Sequence, residues 1–169
     1  ASSFLDKRNR ERNGKAFGIM IFSIVMLLIY LGWLFFFLGA SVEGLGERVS
    51  VSIGLLVGMP MGFLILAIGN FLPTVRQNSL LGFRSYSTLR SEYVWNRTHA
   101  LAGLIMAVCG LVTVAVSVAA AAVGIDWIAL AVLFVSILVF TLVPLAYGHR
   151  LYRRRRAQGL EPDKESMEG

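Results

Sequence analysis

Long apolar blocks alternate with short polar ones along this chain. Four blocks, 16–39, 50–72, 100–123 and 127–147, each run 21 to 24 residues without Asp, Glu, Lys, Arg or His. Roughly 20 helical residues cross a bilayer core of ~30 Å. An ionised side chain at a helix centre costs about 2.5–3.5 kcal/mol on insertion, which accounts for the exclusion. Lipid also requires backbone amides to pair internally, and the alternating segments of a β-barrel are absent from the sequence. The pattern predicts an all-α integral membrane protein with four transmembrane helices, arranged as two antiparallel hairpins. A basic arm (1–15) precedes the 16–149 membrane domain, a polar loop (73–99) divides it, and a polar tail (150–169) follows.

Composition agrees. The 169 residues are 56% hydrophobic and 15% charged, against about 45–50% and 25% in soluble domains. The net charge of +6 would suit nucleic acid, but its placement points elsewhere. Except for Arg48, every Lys and Arg lies in the arm, the 73–99 loop or the tail. By the positive-inside rule these are cytoplasmic, giving both termini on the cytoplasmic side of the membrane. No nucleic-acid partner is expected. Ala1 fits removal of an initiator Met, and the first span is read as a retained helix rather than a cleaved signal. One cysteine, Cys109, excludes an intrachain disulfide and a multi-cysteine metal site. No metal, cofactor or catalytic residue is expected.

Small residues mark the packing. Ser50, Gly54, Gly58 and Gly62 recur every four residues in the second span and so share one helix face. Small side chains let helices approach closely. The third span offers Gly103, Ala107, Gly110, Ala115 and Ser117, so spans two and three are expected to touch. The plain reading is packing within the bundle; a surface for a partner subunit is the alternative. Pro60 and Pro144 should bend their helices. Tyr30, Trp33, Phe35, Phe36, Phe37 and Trp127 are expected at one membrane border, and Trp95, Tyr147 and Tyr152 at the other.

The 70–99 stretch is the least generic. Asn70 stands at the inner edge, and Pro73 ends the second helix. Asn78 and Gly82 suit turns. Ser91 and Glu92 read as an N-cap and a first-turn acid, so the third helix starts before the membrane. Trp95, Thr98, His99 and Ala102 then share one face. The run Gly69-Asn70-x-x-Pro73-x-x-Arg76-x-Asn78-x-x-x-Gly82-x-Arg84, followed by Thr88-Leu89 and Trp95-x-x-Thr98-His99, resembles the signature of the SdpI family. Ser85 and Tyr86 stand where that family usually has Thr-Pro. The chain reads as a short form, without the extra N-terminal helices of the founding type. The resemblance implies immunity to a secreted killing peptide and the holding of a soluble regulator at the membrane.

Asn70, Pro73, Arg76, Asn78, Gly82, Arg84, Trp95, Thr98 and His99 are therefore the candidate site. As structure, they form a clamp in which Arg84 meets helix-end carbonyls or lipid phosphate and Asn70 satisfies backbone freed by Pro73. As function, they form a cytoplasm-facing docking site. Catalysis is disfavoured, because His99 has no acid nearer than Glu92 in sequence. Arg153, Arg154, Arg155 and Arg156 form a polybasic run suited to anionic lipid, as topology anchor or recognition site. The function expected is binding, in toxin-peptide immunity or signalling. The alternative is a small accessory subunit of a larger membrane complex. A lipid-modifying enzyme rests on the polar patch alone.

Overall fold

A computed structural model describes residues 14–42, 52–78 and 82–160. The basic arm through residue 13, Ser50 and residues 161–169 of the tail lie outside the described residues. The elements are α1 (Gly14–Val42), α2 (Ile53–Phe71), a 3₁₀ turn (Leu72–Thr74), α3 (Tyr86–Arg90), α4 (Glu92–Val123) and α5 (Asp126–Ala157). No strand occurs among the described residues. Three segments are long and apolar enough to cross a membrane: Ile53–Thr74, Glu92–Val123 and Asp126–Ala157. The 29-residue α1 is a further candidate, apolar over Ile21–Phe36.

Side-chain caps fix where the long helices start. The Ser52 hydroxyl accepts the Leu55 N–H (3.1 Å) at the start of α2. Asp126, in the first turn of α5, accepts the Ser52 hydroxyl and the Ile53 N–H (3.1 Å). One carboxylate therefore serves two helix N-termini, where orphan amides and the dipole favour an anion. At the start of α4, Ser91 accepts the Val94 N–H, as the sequence predicts. Gly124 closes α4 at φ 72°, a left-handed cap that suits glycine. Both α2 and α5 continue through their prolines, Pro60 and Pro144. The last helix also runs ten residues past the predicted span, to Ala157. Arginines are good helix formers and favour a helix C-terminus.

The core is a backbone-close pairing of α2 against α4, with α5 packed on both. A methyl added at Gly58 would lie 3.1 Å from the Ser117 Cβ, and closer still to its Oγ. One at Gly62 would lie 2.9 Å from the Gly110 carbonyl, and one at Gly110 2.6 Å from the Gly62 carbonyl. Gly69 and Gly103 are reciprocal in the same way. The expected contact of spans two and three is thus formed, antiparallel. Gly54 faces α5 instead, against Asp126 and Ala129. Ala115 points outward. Ile65, Leu72, Ala102, Met106 and Leu133 fill the space between the helices. Buried hydroxyls are satisfied locally: Thr113 donates to the Cys109 carbonyl and pairs with Ser136, and Ser117 donates to the Thr113 carbonyl. Such bonds matter most where water is absent.

α1 rests chiefly on α2, with the Tyr30 hydroxyl donating to the Leu56 carbonyl (2.6 Å). Trp33, Phe35, Phe36 and Trp127 are exposed, as a membrane border requires; the Phe37 side chain lies outside the described residues. Trp95 and Tyr152 depart from expectation. Both are buried, because α3 and its flanking loop fold over them.

Candidate functional site

Residues 75–78 and 82–99 form a small polar platform at one end of the bundle. Its floor is the start of α4. Trp95, Thr98, His99 and Ala102 are all fully buried, on the one face their spacing predicts. The His99 ring stacks on Trp95 with centroids 4.0 Å apart and planes 17° from parallel. The roof is formed by residues 75–78 and 82–91. The Trp95 indole N–H donates to the Val75 carbonyl (2.8 Å), pinning the segment just after α2. The Phe83 N–H donates to His99 Nε2 (3.1 Å), pinning the segment just before α3.

These bonds define the imidazole. Nε2 accepts, so its lone pair is free of hydrogen and Nδ1 carries the proton. Nδ1 lies 2.9 Å from the Trp95 carbonyl, to which it donates. The ring is held neutral, with both nitrogens engaged. Gly82 passes the Nε2 edge of the ring at φ 96°; a Cβ there would lie 3.0 Å from Cδ2 and nearer to Nε2.

The short α3 is built by a capping box. Ser85 accepts the Thr88 N–H, and Thr88 Oγ1 accepts the Ser85 N–H (2.9 Å). Thr88 also donates to the Phe83 carbonyl (2.6 Å). Gln77 Nε2 donates to the carbonyls of Thr88 and Leu89, at 2.9 and 2.8 Å, and so closes the other end of α3. Asn78 is buried and donates to the Arg76 carbonyl (2.7 Å). From α5, Gly148 meets the platform. A Cβ there would lie 2.8 Å from Thr98 Oγ1 and 3.5 Å from the Thr88 methyl. Thr98 Oγ1 is itself buried without a hydrogen-bond partner. Beside it, Ser87 Oγ lies 3.5 Å from Nδ1 of the exposed His149.

The candidate residues therefore divide. Asn78, Gly82, Trp95, Thr98 and His99 come together in the platform. Asn70, Pro73, Arg76 and Arg84 are exposed around it. Beside the exposed Asn70, the Leu72 N–H bonds Ile68 within the helix, and Thr74 Oγ1 donates to the Phe71 carbonyl. Arg84 forms no bond to a helix end; it projects from the turn that Gly82 makes. Gln77, Phe83 and Thr88 were not singled out as site residues, although the platform depends on them. For Thr88 a signal was present in the Ser85-x-x-Thr88 spacing.

This platform, with α4 and most of α5, coincides with a known family. The SdpI/YfhL protein family matches residues 74–148. Residues 74–148 are thus an SdpI-type segment. The chain is also 29% identical over 101 residues to the protein named Immunity protein SdpI of Bacillus subtilis (strain 168). That alignment takes in 60% of this chain and 48% of the relative, so the chain spans about half the length of the curated relative it matches. No solved structure matches it. The SdpI match begins at Thr74, so Gly69, Asn70 and Pro73 precede it. Within the SdpI segment, Ser85 is a hydroxyl N-cap and Tyr86 takes N1, the helical position where proline is at home.

Proposed function

We propose that this chain acts by binding, in immunity to a secreted peptide toxin or in signalling of its presence, with the 75–99 platform facing the cytoplasm as the docking surface. The observation that carries this is the coincidence of two things. The segment similar to an immunity protein is also the segment where buried polar bonds build a rigid surface outside the apolar span. Apart from the Thr98 hydroxyl, the polar groups of its interior hold it together: the Trp95 indole on Val75, both His99 nitrogens, and Thr88 on Phe83 and Ser85. What the platform presents outward is Arg76, Arg84, Asn96 and Arg97, a set suited to recognition rather than proton transfer. The cytoplasmic orientation is supported by the basic residues clustered at this end.

The test is survival. Cells sensitive to the secreted killing peptides of neighbouring strains, expressing the full chain, should outgrow cells carrying an empty vector. Unchanged sensitivity across a broad panel removes the immunity reading. A second reading, an accessory subunit of a larger membrane complex, draws on α1. It leaves against α2 an apolar groove of about 320 Å³, lined in part by Tyr30, Pro60 and Phe63, of a kind that a partner helix fills. Mild-detergent purification from native membranes separates the two. A stoichiometric set of large subunits supports the accessory role, and recovery of the chain alone counts against it.

A further inference from the structure

His99 is a titratable side chain buried where only one protonation state fits the closed roof. The Phe83 N–H donates to the Nε2 lone pair at 3.1 Å. A proton on Nε2 would set N–H against N–H and turn that bond into a repulsion. Nδ1 is indifferent to the change. Its proton lies toward the Trp95 carbonyl, 2.9 Å away, in the neutral and the charged ring alike.

The charged ring has an arrangement of its own. An imidazolium gains from the face of an indole, and the Trp95 stack is already in place. What it lacks is an acceptor for Nε2–H, and a buried charge without one is costly. The charged and titratable groups of the surrounding elements are Arg76 beyond α2, Arg84 in the roof, Arg90 of α3, Glu92 and Arg97 on α4, and His149 on α5. None of them bonds the ring, which is held by Phe83 and Trp95. Water becomes the acceptor once residues 82–84 leave the Nε2 edge. That movement is local. The Phe83 N–H belongs to the peptide shared with Gly82, where φ is 96° and glycine turns freely. The capping box of Ser85 with Thr88, and Gln77 at the other end, hold α3 without using His99.

We propose that His99 is a proton-operated latch. While neutral it holds residues 82–84 down on α4, and protonation releases them. The latch is closed at higher pH and opens as pH falls. Acid on the platform's side therefore dismantles the surface around Arg84. That consequence for binding rests on the platform being the docking surface; the latch itself does not.

The experiment needs neither toxin nor partner, so its failure and that of the docking reading are distinct. Cys109 is the only cysteine. In the full chain in detergent, Cys109→Ala/Arg84→Cys carries a nitroxide whose electron paramagnetic resonance line shape reports motion of the roof. Acidification through the ordinary histidine value of about 6.5 and below should mobilise the label reversibly. The open-to-closed ratio should rise by up to about tenfold per pH unit, the slope of one proton. His99→Gln offers Phe83 an acceptor that does not titrate, and should keep the label immobile throughout. His149→Gln should retain the transition. No transition in the unaltered roof, the same transition in His99→Gln, or loss of helical circular dichroism over the same range overturns the latch. If His99→Gln fails to fold, nitrogen NMR decides. The chain has two histidines, so His149→Gln with labelled histidine shows His99 alone. Protonation of Nε2 should share its midpoint with release of the label; a ring still neutral after release overturns the proposal.

Discussion

At Gly82 the backbone takes φ 96° and runs close against the Nε2 edge of the His99 ring. A single added methyl meets strain and a clash together, although the residue itself is exposed. Gly82→Ala should therefore destabilise the protein by about 1–3 kcal/mol, read as a lower midpoint of thermal unfolding in detergent. Thr98 offers the opposite case. Its buried hydroxyl has no partner, and an unpartnered buried hydroxyl is a cost of about 1–3 kcal/mol. Thr98→Val keeps the shape and removes that cost, so the same measurement should show equal or greater stability. A marked loss would mean that the hydroxyl holds something in the working protein. At this scale the sequence was informative about one side of the site. Spacing alone put Trp95, Thr98 and His99 on one face. It could not show that Val75 and Phe83 supply the bonds to them, because the partners are a backbone carbonyl and a backbone amide, which every residue carries. Asn70 and Arg84 are exposed, so their polar side chains do not help to build the platform's interior.

Between elements, the four-residue recurrence of Gly54, Gly58 and Gly62 identified the packing face of α2. The partner glycines on α4, Gly103 and Gly110, could be proposed from composition, yet their register could not. Gly62 and Gly110 exchange close approaches to each other's carbonyls, and Gly69 and Gly103 do the same. Overpacking a filled interface costs about 1–3 kcal/mol. Gly62→Leu should reach the top of that range, whereas Ala115→Leu, on the outward face of α4, should leave stability within about 0.5 kcal/mol. Equal effects would place the interface wrongly. The junction of Ser52 with Asp126 was not legible, because the residues are 74 apart in sequence and each reads locally as an ordinary helix start. The extension of α5 to Ala157 was missed because charge marks a membrane border but does not end a helix.

For the whole molecule, the apolar blocks alone were enough to read an all-helical membrane protein. Charge asymmetry adds an orientation, and orientation can be measured. In a Cys109→Ala background, a membrane-impermeant thiol reagent should label Ile125→Cys in intact cells. It should spare Gln158→Cys until the cells are opened. The reverse pattern would invert the bundle and put the platform outside, where a peptide toxin would meet it directly. α1 stands apart from the rest of the molecule. It rests chiefly on α2, and the SdpI match begins only at Thr74.

The glycine contacts of α2 and α4 have a mechanical consequence. Side chains normally act as compliant padding between helices, and rotamer changes absorb small displacements. Here backbone bears on backbone, so little padding exists. A 19-residue helix is about 28 Å long, and this one is braced along much of that length. A push on the platform is delivered with little damping to the far end, where Asp126 fastens α2 to α5. The pair is in effect one stiff unit, from the platform to the junction of Ser52 with Asp126.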